Sequence, residues 1–154
     1  MMMKKMNKSQ IIIGLSVLFG FLSFSFYLKK DPRTKYNGIY LIVEKGKEFS
    51  LITQKQIKIA VDSVPIVGIL DIEKVRMAYI NYPDDPQLDI QLTENGKLKF
   101  AKLTRENIGK PLAIILDDML LSVPIVETEI PNGKIVVSGL DKKLVRTLAE
   151  RFKK

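Results

Sequence analysis

An uncharged apolar segment near the N-terminus is the feature that most constrains what this chain can form. Ile11 to Leu28 is a run of 18 residues without a charged side chain. As a helix it would be about 27 Å long at 1.5 Å per residue, close to the hydrocarbon thickness of a bilayer. Lys29 and Lys30 follow directly and suit lipid headgroups. We expect a transmembrane anchor over residues 11–28, preceded by a basic cytoplasmic tail over residues 1–10.

A cleaved signal peptide is the alternative for the same segment. The apolar run is longer than a usual signal-peptide core, and no A-x-A cleavage site follows it, so we favour a retained anchor. The short basic tail favours an N-in orientation. We therefore expect a single-pass protein of the bacterial inner membrane, with a polar tether over residues 29–37. Residues 38–154 are then a periplasmic, extracytoplasmic domain.

Composition and charge exclude several classes of function. The chain has no Cys and no His, which excludes disulfides, Cys/His zinc sites and any triad with a histidine base. Residues 1–35 hold seven Lys or Arg and one Asp, so little of the net charge of +8 remains for the rest of the chain. Because no basic groove with interleaved aromatics is visible, we expect no nucleic-acid partner.

The pattern after the tether predicts strands interleaved with helices. Apolar alternation and β-branched runs predict strands over residues 39–44, 49–52, 75–82, 87–93, 112–116, 119–126 and 134–138. A capping box from Thr53 to Gln56, with Ile57, Ala60 and Val61 on one helical face, predicts a helix over residues 53–61. Apolar stripes predict two more helices, over residues 93–108 and 141–152. The predicted fold class is α+β, with one N-terminal transmembrane helix followed by a mostly antiparallel sheet and about three helices packed on it.

Two pairs of carboxylates are the strongest candidates for chemistry. Asp84-Asp85 and Asp117-Asp118 have the residue types that hold a hard metal or act as general acid and base. Both pairs lie where turns are expected, and Asp is a common turn residue, which is the interpretation we favour. No Gly-rich phosphate loop is present. We therefore predict no catalytic, cofactor-binding or metal-binding residue, no cofactor and no enzyme activity.

Residues 92–139 carry a linked series of short motifs whose order and spacing resemble one known family. It is the SecD/SecDF family, and the likeness is to the head of its first periplasmic domain, in an accessory subunit of the bacterial Sec translocase. Asp118 stands where the family usually has Gly, and Val123 where it has Ala. We interpret the matching positions as mainly structural, and they are Thr93, Gly96, Phe100, Thr104, Asn107, Gly109, Asp117, Ser122, Pro124, Gly133, Ser138 and Gly139.

The resemblance implies a head domain that binds unfolded or exported polypeptide beside the membrane, with Sec translocase subunits as possible partners. The family's proteins have six membrane spans per SecD unit and use ionisable residues inside the membrane. Ile11 to Leu28 contains no such residue, so we expect no proton transfer by that route. Two alternatives stay open: an envelope adaptor that reuses the head fold for another membrane complex, and a hydrolase that uses Asp117 and Asp118.

Overall fold

The structure, a computed structural model, describes residues 36–153, which form two β-sheets and two α-helices. The elements in chain order are β1 (Gly38–Leu51), β2 (Gln54–Val61), β3 (Val67–Gly68), a 3₁₀ turn (Ile69–Asp71), β4 (Ile72–Tyr79), β5 (Pro86–Leu92), α1 (Glu94–Glu106), β6 (Leu112–Leu116), β7 (Met119–Ser122), β8 (Lys134–Val137) and α2 (Lys142–Arg151).

The first sheet is organised around the long strand β1. Its strand order is β2-β1-β6-β7, and β3 also pairs with β1. A bulge lies between Ile42 and Lys47, both of which face Val61 on β2. Beyond the bulge, the end of β1 runs parallel to β7, with Leu51 opposite Leu120. Because β1 pairs with β6 at one end and with β7 at the other, the sheet curls around a small core of its own.

The second sheet has the antiparallel order β4-β5-β8, and α2 packs against β4 and β5. Strands β4 and β5 correspond to the strands predicted over residues 75–82 and 87–93, and they pair as an antiparallel hairpin. Leu88, Ile90 and Leu92 of β5 are buried on one face, as their alternation predicts. Strand β6 has five buried residues in succession because it contributes to both cores. Its residues 112, 114 and 116 enter the main core, and residues 113 and 115 enter the small one.

The predicted helix over residues 53–61 is wrong, because this segment is strand β2. Ile57, Ile59 and Val61 are large apolar residues spaced two apart, with Lys58 and the small Ala60 between them, and this period of two outweighs the apparent capping box. Residues 52–53 form instead the turn between β1 and β2. The predicted strands over residues 39–44 and 49–52 are parts of one strand, β1. Residues 36–153 therefore contain two α-helices rather than three.

The predicted transmembrane anchor over residues 11–28 lies outside the described residues, together with its basic tail and residues 29–35 of the tether. Within residues 36–153 there is no helix with the length and apolar character that crossing a membrane requires. The predicted fold class is therefore wrong for the structure as described. It is corrected to a mostly-β fold of two sheets with two helices.

The β6–β7 turn contacts residues near both ends of the described chain, Tyr36 and Asn37 at one end and Arg151 at the other. Asp117 and Asp118 have positive φ angles of 55° and 63°. The Asp117 N–H donates to Asn37 Oδ1 at 2.7 Å, and Asp118 Oδ1 accepts from the Tyr36 N–H at 2.8 Å. Asp117 also forms an ion pair with Arg151 at the end of α2. The Asp118 side chain thus makes a bond that the Gly usual in the SecD/SecDF family would not make, while Asp tolerates the left-handed backbone that the turn requires.

Candidate functional site

An apolar groove lies between α1, β8 and the segment that follows β7. Its volume is about 300 Å³. Residues from β1, α1, β6, β7 and β8 line it, so the groove is formed only when both sheets and α1 are packed together. Ile125 and Val136 lie on its walls with 65% and 46% of their surfaces exposed. Large apolar side chains exposed in a concave site are typical of binding surfaces for apolar ligands or partner chains.

Thr104 connects the two walls of the groove. Its hydroxyl is fully buried and donates to the Phe100 carbonyl oxygen at 2.8 Å, one turn earlier in α1. The Thr104 hydroxyl oxygen also accepts a hydrogen bond from the backbone N–H of Ile130, at 3.0 Å. Ile130 belongs to the segment between β7 and β8 that also lines the groove. One buried hydroxyl therefore fixes that segment to α1.

Four of the family-motif residues line this groove: Phe100, Thr104, Ser122 and Pro124. Ser122 is the last residue of β7. The Pro124 carbonyl oxygen accepts the Leu112 N–H at 3.0 Å, which holds the segment after β7 against β6. Proline cannot donate a backbone hydrogen bond, so no strand can pair with the chain through that nitrogen.

Three other motif residues shape α1. Thr93 is the N-cap, and its Oγ1 accepts the Gly96 N–H at 3.1 Å. Gly96 is buried, and a Cβ at this position would lie 2.5 Å from the carbonyl oxygen of Asp71. Gly96 therefore permits close approach of α1 to the 3₁₀ turn. Asn107 ends the helix, donating from Nδ2 to the Leu103 carbonyl oxygen at 2.8 Å.

The remaining motif residues lie in turns. Gly109, Gly133 and Gly139 have φ angles of 79°, 62° and 74°, a region that glycine adopts readily. Ser138 is exposed beside Gly139, at the end of β8. Asp117 lies in the β6–β7 turn, where it pairs with Arg151. Whether these twelve positions act only structurally stays a prediction.

The predicted carboxylate pairs both lie in turns. Asp84 and Asp85 are in the β4–β5 turn, where Asp85 Oδ2 accepts from Asn81 Nδ2 at 2.8 Å. Among residues 36–153, no group of three or more His, Cys, Asp or Glu side chains is arranged to hold a metal ion.

A second, polar depression of about 660 Å³ lies beside the N-terminus of α1. Asp71 is buried there, and its carboxylate accepts from Lys99 Nζ at 2.8 and 2.9 Å and from Asn95 Nδ2 at 2.9 Å. Burial alone raises the pKa of the Asp71 carboxyl, but hydrogen bonds from Lys99, Gly68 and Asn95 and the charge of Lys99 together lower it below its usual value. Because Asp71, Asn95 and Lys99 are hydrogen-bonded to one another, we interpret the cluster as a structural contact that holds α1 against the 3₁₀ turn.

Sequence patterns did not identify Ile125, Lys134 or Val136 as site residues. All three lie in or beside segments that were predicted as strands. Alternation identifies which residues face one side of a strand, but it does not indicate which edge of a sheet stays uncovered. That property depends on how the two sheets are placed relative to each other.

Comparison with known proteins identifies one family. The family model described as "SecDF, P1 head subdomain" matches residues 44–150. SecD of Sebaldella termitidis, a protein translocase subunit, is 40% identical over 73 residues, covering 46% of this chain and 18% of the relative. SecDF of Thermus thermophilus is 34% identical over 76 residues, covering 49% of this chain and 10% of the relative. The chain therefore spans less than a fifth of the length of these relatives.

Solved structures agree on the fold. A structure of SecDF, described as a membrane component that enhances protein export, has a TM-score of 0.62 and 18% identity over 99% of this chain and 71% of that chain. A structure of SecDF in a super-membrane-facing form has a TM-score of 0.56 and 24% identity over 73% of this chain and 17% of that one. At these identities the likeness supports the fold alone.

Proposed function

Since this chain belongs to the SecDF P1 head subdomain family, we propose that it is a non-enzymatic accessory of protein export that binds unfolded polypeptide in its apolar groove. The observation that carries the proposal is a groove of about 300 Å³ with Ile125 and Val136 exposed on its walls. An unfolded chain exposes apolar side chains that a folded protein buries, so such a groove selects unfolded over folded chains.

The proposed place of action is the outer face of the cytoplasmic membrane, where exported chains emerge. The relatives are named as translocase subunits, and one is described as a membrane component that enhances protein export. Their names support a Sec translocase as the machinery beside which this head works. The family-motif residues Phe100, Thr104, Ser122 and Pro124 line the proposed binding surface, which links the family resemblance to the groove.

Binding to a permanently unfolded protein tests the proposal directly. The full chain is titrated into a fluorescent, carboxymethylated polypeptide that cannot refold, and anisotropy is measured. We expect Ile125→Ser and Val136→Ser each to weaken binding about fivefold, since each removes roughly 1 kcal/mol of apolar burial. Leu98→Ser is the matched control, because Leu98 is 73% exposed on α1 and does not line the groove. Equal affinity of all four proteins would contradict the proposed surface.

A crosslink in living cells tests the partner. A photoreactive residue is placed at Ile125, and at Leu98 as the control position. Export precursors or Sec channel subunits crosslinked from position 125 but not from position 98 would support an export accessory. Recovery of a different membrane complex from position 125, with Sec subunits at the level of the control, would refute it and favour an envelope adaptor.

A further inference from the structure

Strand β8 has one edge without a partner strand. Within residues 36–153 it pairs with β5 alone. The Leu92 N–H donates to the Gly133 carbonyl oxygen at 3.0 Å, which fixes the phase of the antiparallel ladder. Because hydrogen-bonded pairs alternate along such a ladder, Ile135 and Val137 bond to β5. The N–H and carbonyl of Val136 therefore point away from β5, towards the open edge.

The open edge of β8 also forms one wall of the groove. Lys134, Ile135 and Val136 all line it. Ile135 is buried in the main core, whereas Lys134 and Val136 are exposed on the opposite face of β8 and line the groove from that side. An extended segment laid along this edge would place alternate side chains on opposite faces, one set towards the buried part of the groove and the other beside Lys134 and Val136.

The solvent face beside this edge carries excess positive charge. Asp89 is buried there, with Arg76 Nη2 at 3.6 Å and Lys134 Nζ at 3.9 Å from Oδ2. Lys74 lines the same depression, so three cations surround one carboxylate. Lys134 lines both this depression and the groove. Glu127 lies on the groove wall, so an acidic side chain is favoured only on the Lys134 side.

We propose that an extended polypeptide segment binds as an added strand on the open edge of β8, with apolar residues facing the groove and an acidic residue facing Lys134. The inference rests on the proposed function and names its substrate class. Main-chain hydrogen bonds to Val136 provide binding that does not depend on sequence, while the alternation and the charge provide selectivity. Partners of this class are strand-forming, amphipathic and acidic on one face.

Synthetic peptides test strand addition without any change to the protein. The probe is a fluorescent nine-residue peptide of alternating valine and threonine, with glutamate at one threonine position. N-methylation is placed on every second backbone amide, in one phase or in the other. We expect one phase to weaken binding to the full chain at least tenfold, and the other phase to have less than a threefold effect. Equal effects of the two phases would overturn strand addition.

Protein variants test the same edge from the other side. Val136→Pro removes the outward N–H but leaves the bonds between β8 and β5, and proline is tolerated on edge strands. We expect Val136→Pro to bind the peptide at least fivefold more weakly than Val136→Ala, which keeps the N–H. Equal affinity of these two variants, with both folded by circular dichroism, would refute the bond to Val136.

Charge selectivity has its own readout. Replacing the peptide's glutamate by lysine should weaken binding about fivefold at low salt, and the difference should shrink in 0.5 M NaCl because exposed charges are screened. Lys134→Gln should reduce the same difference. Binding that is insensitive to N-methylation and charge leaves the groove as the site but overturns strand addition. Failure of both the peptide and the carboxymethylated polypeptide to bind overturns the proposed function itself.

Discussion

Replacing Thr104 by valine is expected to destabilise the protein through one unpaired N–H group. Valine has nearly the shape of threonine but no hydroxyl. In the wild type the Thr104 Oγ1 accepts the Ile130 N–H at 3.0 Å. The Phe100 carbonyl oxygen that the hydroxyl also contacts lies within α1, where the helix supplies another donor. In the Thr104→Val variant, the Ile130 N–H therefore loses the hydrogen-bond acceptor that Thr104 Oγ1 provides.

The size of the effect follows from the burial of that group. Leaving a buried donor unpaired costs about 1–3 kcal/mol. Ile130 is half-buried, so some water reaches its backbone and the lower part of the range applies. We expect a loss of about 1–2 kcal/mol in the free energy of unfolding. With a urea dependence of about 2 kcal/mol per molar, the midpoint falls by roughly 0.5–1 M.

Urea unfolding followed by circular dichroism measures this loss, and Thr147→Val is the matched control. Thr147 is exposed on α2, and its hydroxyl donates only to the Lys143 carbonyl oxygen of the same helix, at 2.8 Å. We expect that control to change stability by less than about 0.5 kcal/mol. Equal midpoints for Thr104→Val and Thr147→Val would refute the assignment of Thr104 as the link between the groove walls.

Three further substitutions test contacts elsewhere in the fold. Gly96→Ala should destabilise by about 1–3 kcal/mol despite the better helix propensity of alanine, because its Cβ meets the Asp71 carbonyl oxygen; higher thermal stability would contradict this contact. Lys99→Met should lower the urea midpoint at pH 7 but less below about pH 4. Because the pKa of Asp71 is lower in the folded protein than in the unfolded chain, its pairing with Lys99 stabilises the fold above the unfolded-state pKa, and this stabilisation is lost as the pH falls through the folded-state pKa. An equal difference between the midpoints of the variant and the wild type at every pH would refute this linkage. Asp118→Ala should cost about 1–2 kcal/mol, since it loses the bond from the Tyr36 N–H and keeps a left-handed backbone, whereas Asp118→Gly should be within about 0.5 kcal/mol of wild type. Equal unfolding midpoints for these two variants would refute the cost assigned to the left-handed backbone, and an Asp118→Ala midpoint equal to that of the wild type would remove the role given to the Asp118 side chain.

Most strands and both helices of the described chain follow from local patterns. The residues of β5 alternate, those of β6 form a short apolar run, and a side-chain cap begins each helix. Strand β2 was misassigned because a capping-box sequence and a period of two overlapped in the same eight residues. Ile57, Ile59 and Val61 carry the correct signal, but its apolar positions are few and partly exposed at this edge of the sheet. Short patterns of that kind are ambiguous until a partner strand is known.

The groove was beyond prediction for a different reason. Its lining residues are spread through the chain from Ile39 to Val136, and no local sequence pattern shows that they lie close together. The family-motif residues did indicate the region, since Phe100, Thr104, Ser122 and Pro124 all line the groove. Their chemistry alone suggested only turns and core, because none of them is reactive or charged. The proposed binding surface depends on the exposed Ile125 and Val136 beside these motif residues, and a single sequence does not show that they lie together.

An open edge beside an apolar groove is also a risk for self-association, and Lys134 at this edge opposes it. A second copy of the chain pairing through β8 would bring its own Lys134 to an edge that already carries Lys134. Like charges across paired strands are unfavourable, and lysine on an edge strand is a common protection against such pairing. An acidic segment at this edge would instead be attracted by the positive charge of Lys134. In the proposed function, the lysine that opposes pairing between copies is also the residue that favours acidic partner segments.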